Sequence, residues 1–369
     1  MIWILVLGIL GLLTGMVLIF LRANPQFGGR LTPALKERYE QSPQWKAGKF
    51  ENATETVMDF SLRNMPRLIR DQRGSRKTRQ PKEPLPILPL DAAAWEAKPN
   101  QPKFIWYGHS VVLLQLAGKN FLIDPMLGPN AGPISPFPVK RFSQNTLDII
   151  DALPPLDAVL MTHDHYDHLD LASIRKLMGK TQRWWVGLGV GRHLERWGIS
   201  TDQITEFDWW QETSLEGIRL VYTPSRHFSG RGPTDRAKSL WGGWAFLTAE
   251  HRIYWSGDGG YGPHFQEIGE RLGPFQWGFM ECGQYHPLWH AIHMMPEESV
   301  QAGREAKVEC LIPVHWAGFS LAPHAWKDPA ERFVQAAQGT QQSYALPALG
   351  QVVTLGEALP QEEWYQDRV

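Results

Sequence analysis

The residues from Ile2 to Leu21 form an unbroken apolar run with no charge, interrupted only by glycine and threonine. At 1.5 Å per residue, a helix of that length spans about 30 Å, the thickness of a bilayer's hydrocarbon core. Arg22, Arg30, Lys36 and Arg38 follow it. A cleavable leader carries basic residues before its apolar core and small residues at its end, and neither pattern is present. Residues 1–22 are therefore expected to be a retained single-span anchor, with the positive-inside bias placing the main body of the chain on the cytoplasmic side. Beyond residue 100 the period changes. Phe104–Tyr107, Val111–Leu116, Asn120–Ile123, Leu156–Met161 and Trp184–Val186 read as short strands, with Ala117-Gly118-Lys119 as a turn. Leu171–Met178, Gly191–Trp197, Pro296–Ala306 and Asp328–Gln338 read as helices. Trp244–Thr248 and Ile253–Ser256 flank a hairpin turn, and Gln351–Leu355 is a final strand. Apolar strands alternating with helices predict an α/β fold of two facing sheets covered outside by helices.

Between the apolar run and this alternating region lies a basic stretch. Residues 63–82 hold eight Lys or Arg against the single acid Asp71. Residues 1–100 carry fifteen basic and nine acidic groups, which leaves the remainder with an excess of seven acids. The stretch has two readings: a solvated linker, or a patch lying on anionic lipid headgroups next to the membrane span. Nucleic acid is not expected as a partner, because the body of the chain is not basic. Pro81–Pro89 marks a stiff connection, giving a basic, Pro-rich extension over 23–100 and a main folded domain over 101–369. Only Cys282 and Cys310 are present, both in apolar runs, so buried thiols are expected and a disulfide framework is not.

The chemistry concentrates in Thr162-His-Asp-His-Tyr-Asp-His-Leu-Asp170, directly after an apolar run. Packed at a strand end, its imidazoles and carboxylates would repel and desolvate one another unless cations compensated. Three later apolar runs each end in one further candidate ligand: Ile218 to His227, Arg252 to Asp258 and Val308 to His315. Imidazole nitrogen and carboxylate oxygen suit zinc, and a catalytic site keeps a position open for water. The expected arrangement gives His163, His165 and His227 to one metal. Asp167, His168 and His315 go to the other, with Asp258 bridging. A hydroxide shared by the two ions would be the nucleophile. His193, His251, His264 and His324 are read as ordinary surface or core histidines.

This pattern resembles the metallo-β-lactamase superfamily, whose signature is His-x-His-x-Asp-His. Within it the chain is similar to the N-acylphosphatidylethanolamine-hydrolysing phospholipase D family and its bacterial relatives. The segments carrying the resemblance include Trp106-Tyr-Gly-His-Ser110, Phe121-Leu-Ile-Asp-Pro125, Thr223-Pro-Ser-Arg-His227, Leu240-Trp-Gly-Gly-Trp244, Gly257-Asp-Gly-Gly-Tyr261 and His315-Trp316. They run in the family's order from about Phe104 to Phe319. The family's metal ligands fall on the same seven positions, and its active-site histidine that binds no metal falls on His293. The resemblance implies a four-layer αββα sandwich, two divalent ions (zinc foremost) and a membrane phospholipid as substrate. The lipid would be cleaved to phosphatidic acid and an N-acylethanolamine, with Asp167, Asp258 and His293 as catalytic residues and a bacterial inner membrane as location. Two positions depart from the family: Asp164 replaces the amide of the animal lipases, and Gly259 replaces a hydroxyl residue after Asp258. His109 is expected either to orient a ligand or simply to pack. The same scaffold also supports ester, lactone or β-lactam hydrolysis and nuclease chemistry. No serine nucleophile elbow or Gly-rich phosphate loop is evident.

Overall fold

The computed structural model describes residues 2–59, 61–132 and 138–366. Two seven-stranded sheets face each other. The first runs, in spatial order, Val352–Thr354, Lys103–Trp106, Val112–Leu116, Lys119–Ile123, Ala158–Leu160, Trp184–Gly187 and Ile204–Phe207. The second runs Glu212–Leu215, Ile218–Thr223, Gly243–Leu247, Arg252–Trp255, Phe275–Glu281, Val308–Val314 and Ser343–Tyr344. In each sheet the first four strands pair antiparallel and the last three continue parallel. The two sheets therefore repeat one plan, a kinship that no sequence period reveals.

Strand residues divide between two cores with period two, because successive side chains point to opposite faces. Phe104, Trp106, Val112, Leu114, Phe121 and Ile123 pack between the sheets. Ile105, Tyr107, Val111, Leu113, Leu122 and Val159 pack instead beneath the outer helices Leu171–Leu177 and Gly191–Trp197. Both faces of these strands are buried, which explains why they read as continuous apolar runs. The helices His264–Leu272, Pro296–Glu305 and Asp328–Gly339 bury their apolar sides in the inter-sheet core's outer extension on the second sheet. The result is the four-layer sandwich expected from the alternating pattern. At Ala117-Gly118 the hairpin turn takes positive φ at both residues (47° and 74°), as a two-residue connection between twisted strands requires.

The strand boundaries differ from the sequence reading by one or two residues, the larger difference being Ala158 against the expected Leu156, and Gly191–Trp197 coincides with it. The helix Ile2–Ala23 is long and apolar enough to cross a membrane, and the hydrophobic side chains from Trp3 to Phe20 are exposed. The segment after it lies against the sandwich. Tyr39, Trp45 and Phe50 form a ring cluster with centroids 4.8–5.8 Å apart and join the inter-sheet core. The Pro-rich connection is laid down rather than free: Leu85 N–H donates to Phe142 O (3.1 Å) and Leu88 N–H to Leu349 O (2.8 Å). Cys282 and Cys310 are buried free thiols.

Phe104 of the first sheet meets Trp277 and Phe279 of the second edge-on, at 5.0 and 4.8 Å between ring centroids. Phe279→Ala is expected to cost about 3–5 kcal/mol, since the fully buried site cannot collapse around the loss. Chemical denaturation with an unchanged m-value would check this.

Candidate metal centre

All candidate ligands stand where strands of the two sheets end on the same side. Strand Ala158–Leu160 leads into the loop holding His163, His165, Asp167 and His168. The second sheet's Ile218–Thr223, Arg252–Trp255 and Val308–Val314 deliver His227, Asp258 and His315. The structure brings all seven together. His163, His165 and His227 offer donor atoms within 4.8 Å of one another, as do Asp167, His168 and His315 together with His109. Asp258 shares a third such group with His163 and His168, and a fourth with His315, Glu281 and His293. It thus stands between the two sets.

The donor set fits cations better than it fits itself. His163 Nε2 and His227 Nε2 lie 3.0 and 3.2 Å from His165 Nδ1. The outer nitrogen of each of the first two rings is already committed. His163 Nδ1 lies 2.9 Å from Thr162 Oγ1, which spends its own proton on Asp124 Oδ2 (2.7 Å) and must accept. His227 Nδ1 donates to Ile292 O (2.9 Å). Both rings therefore turn a lone pair inward, and these lone pairs converge on His165 as they would on a shared positive charge. Burial, reinforced by neighbouring imidazoles, holds His163 and His227 well below the usual imidazole range. His165 is pulled down to about 4, chiefly by burial.

The other set has the opposite balance. Burial opposes charge on His168, but Asp258, Asp167 and Asp124 overcome it and push the ring up to about 10. His315 rises well above its ordinary value against the same burial penalty, chiefly through Asp258. Their Nε2 atoms each lie 3.0 Å from Asp258 Oδ2. Asp167 and Asp258 are correspondingly held far below the carboxylate range; their burial is outweighed by His168 first. Both rings favour positive charge here, the charge that cations would supply.

A surrounding layer fixes these groups. His168 Nδ1 donates to Asp124 Oδ2 (3.0 Å), and His109 Nε2 to Asp167 Oδ2 (2.9 Å). His109 therefore orients a candidate ligand. Glu281 accepts from Gly259 N–H (2.8 Å) and from His293 Nδ1, and its Oε1 lies 3.5 Å from His315 Nδ1. At Gly259 the missing hydroxyl is matched by this backbone tie, and a Cβ there would meet Arg226 N at 3.0 Å. His293 lines a cavity of about 440 Å³ together with His165, Asp167, Asp258 and His315. His290 is exposed and absent from that cavity; His251, His264 and His324 also lie outside the clusters.

Glu281 and Asp124 went unassigned in the sequence reading. Glu281 ends the apolar strand Phe275–Glu281, the same run-then-ligand pattern that singled out Asp258. Asp124 follows strand Lys119–Ile123 in the same way. His193, read as an ordinary histidine, is buried and tied into the metal loop. Its Nε2 donates to Asp164 Oδ2 (3.1 Å), and its Nδ1 accepts from Gly29 N–H (3.0 Å), six residues past the apolar helix. Asp164 also accepts from Ser239 Oγ (2.6 Å) and Gly230 N–H (2.7 Å). A Cβ on Gly29 would stand 1.9 Å from Arg192 O, so only glycine allows this approach.

A family model for the Beta-lactamase superfamily domain matches residues 119–316, the span that holds every candidate ligand. The chain belongs to the metallo-β-lactamase superfamily. It is a metal-dependent hydrolase of that fold. An uncharacterized protein of Mycobacterium tuberculosis is 35% identical over 351 residues, 94% of this chain and 93% of that one. An N-acyl-phosphatidylethanolamine-hydrolyzing phospholipase D of Caenorhabditis elegans is 32% identical over 228 residues, covering 58% of this chain and 64% of the nematode protein. Among solved structures, a metallo hydrolase from the archaeon Ignicoccus hospitalis superposes with a TM-score of 0.55 at 21% identity, over 70% of this chain and all of that one. This last likeness concerns the superfamily fold.

Two outcomes are expected. Ligation requires neutral imidazole, so cation uptake near pH 7 must displace the protons on His168 and His315. Affinity for divalent metal should rise with pH until the His168 proton leaves unaided near 10. Titration calorimetry in buffers of different ionisation enthalpy should read about two protons released per protein, one from each ring; uptake without proton release would contradict this. Separately, His193→Ala removes a partner of Asp164, which stands between the candidate ligands His163 and His165, and should weaken metal binding by roughly tenfold through misplacement of their loop. Competition against a chromogenic chelator, with circular dichroism confirming the fold, would measure it.

Proposed function

We propose that the protein is a membrane-anchored phosphodiesterase of the phospholipase D type, acting on N-acylphosphatidylethanolamine-like lipids to give phosphatidic acid and an N-acylethanolamine. The observation that carries this reading is the composition of the cavity at the candidate metal centre. One wall offers Asp167, Asp258, His293 and His315, while Met58, Leu68, Phe228, Trp289, Ile292 and Leu321 supply apolar surface. A glycerophospholipid needs that combination: a charged floor for phosphate and greasy walls for chains. The sequence kinship with the nematode lipase supports the same headgroup chemistry.

In this reading His163, His165 and His227 would hold one divalent ion, and Asp167, His168 and His315 the second, with Asp258 available to both. Zinc is the ion best matched to so many imidazoles. Such ions, when bound, acidify water and neutralise non-bridging phosphate oxygens. The chain's own groups do the rest. Thr162, Asp124, His109 and Glu281 fix the tautomer or rotamer of the ligands, so no reorganisation is needed when charge develops. Glu281 holds Nδ1 of His293, which leaves Nε2 to face substrate; in its imidazolium form the ring would donate from Nε2 to a phosphate oxygen or to the departing alkoxide and be left neutral. The apolar helix Ile2–Ala23 would anchor the enzyme as a single span, with the catalytic body on the cytoplasmic side of a bacterial inner membrane.

The test is a substrate screen of the full chain in mixed micelles, measuring phosphatidic acid from N-acylated phospholipid, colour from a lactam and a lactone, and RNA cleavage. Phosphatidic acid release that disappears in Asp258→Asn, with bound metal reduced and the fold intact, is the expected outcome. Turnover confined to the lactam, lactone or RNA would overturn the lipid assignment. His293→Gln should lower kcat by about 100-fold, the usual worth of a positioned proton donor, while metal content stays unchanged.

A further inference from the structure

The extension contributes to the metal cavity itself. Leu68 and Gln72, four apart on the helix Met65–Gly74, line the cavity beside His165 and Asp258. Met58 and Leu68 pack on a small apolar cluster of Leu288, Trp289, Ile292 and Ala322. The segment is pinned at several points. Asp59 N–H donates to Leu288 O (2.8 Å), Asp71 Oδ2 lies 3.3 Å from His286 Nε2, and Trp326 N–H donates to Thr78 O (3.0 Å). The outward side differs sharply. Leu62 is 90% exposed and Ile69 45%, with Val57 and Met65 also exposed. Between and beyond them stand exposed Arg63, Arg67, Arg70, Arg73, Arg76 and Lys77, and Asp71 is the single acid between Ser61 and Thr78.

Exposed apolar side chains ringed by cations are unfavourable in water but suit the boundary between anionic headgroups and acyl chains. The apolar anchor leads to the same region. Leu18, Leu21 and Phe27 border a cavity with Gly232 and Asp235, while Phe228 and Arg236 of the same loop line the metal cavity. One loop thus separates the root of the anchor from the catalytic opening.

We infer that the helix Met65–Gly74 and the turn before it lie in the surface of an anionic phospholipid bilayer and form the wall along which a lipid passes from that bilayer to the metals. The outer face binds the surface through Leu62, Ile69 and the arginines; the inner face, Leu68 and Gln72, guides the substrate. This deepens the lipid-hydrolase reading and rests on it for its purpose, whereas its test needs no turnover.

Because Cys282 and Cys310 are buried, Leu62→Cys provides a single reactive thiol for an environment-sensitive dye. The labelled full chain would be reconstituted into nanodiscs of phosphatidylcholine alone, or of phosphatidylcholine mixed with phosphatidylglycerol. The expected result is a shift of emission to shorter wavelength, with quenching by brominated acyl chains, in the anionic discs. Both should be lost in Arg67→Gln/Arg70→Gln/Arg73→Gln and at high salt. Equal emission in both discs, or a triple variant that still inserts, would overturn the inference. Insertion without phosphatidic acid release from the substrate screen would instead sink the enzymatic reading and leave the docking surface standing.

Discussion

Too much like charge, or too many facing lone pairs, have been gathered in one buried place; the rest of the molecule is arranged around relieving that conflict. Three imidazoles converge nitrogen to nitrogen at 3.0–3.2 Å on one side. On the other, Asp167 and Asp258 hold protons on His168 and His315 far above their ordinary range. Neither set is at ease in a low-dielectric interior without positive charge that protons supply only partly. Divalent cations remove both difficulties, because lone pairs become ligands and the displaced protons leave.

The architecture makes this concentration of donors possible. Each sheet begins with an antiparallel meander and ends with parallel strands, and parallel strands finish on the same side. Ligands that lie far apart in sequence, such as His163 and His315, therefore meet at one rim. The strands themselves are buried on both faces, so the rim is held by rigid elements and not by mobile loops alone. The supporting hydrogen bonds extend outward to the root of the apolar helix through Asp164, His193 and Gly29. The metal loop and the segment that follows the apolar helix are thus parts of one bonded assembly, and the extension also walls the cavity through Met58, Leu68 and Gln72.

Much of this was legible in the residues, for identifiable reasons. Strands buried on both faces appear as dense apolar runs, and a ligand just past such a run is conspicuous; His163, His227, Asp258 and His315 were found that way. The seven donors do come together, and His109 proves to orient Asp167. Glu281 escaped notice because it lies within its strand and reads as an ordinary strand-end acid. His193 escaped because its partners, Asp164 and Gly29, are distant in sequence, and single histidines carry no spacing signal. The strands Ile204–Phe207 and Glu212–Leu215 were missed since each is partly exposed and mixes acids with apolar residues. The packing of the Pro-rich connection was hidden too, because backbone bonds to Phe142 and Leu349 leave no trace in composition.

If two cations resolve the charge conflict, anomalous diffraction from crystals grown with zinc will locate them. Two maxima about 3.5–4 Å apart are expected, the separation of paired catalytic metals. One should be ringed by the imidazoles at 163, 165 and 227, the other by 167, 168 and 315, with the carboxylate at 258 touching both. A single maximum, or two that leave Asp258 uncoordinated, would contradict that arrangement.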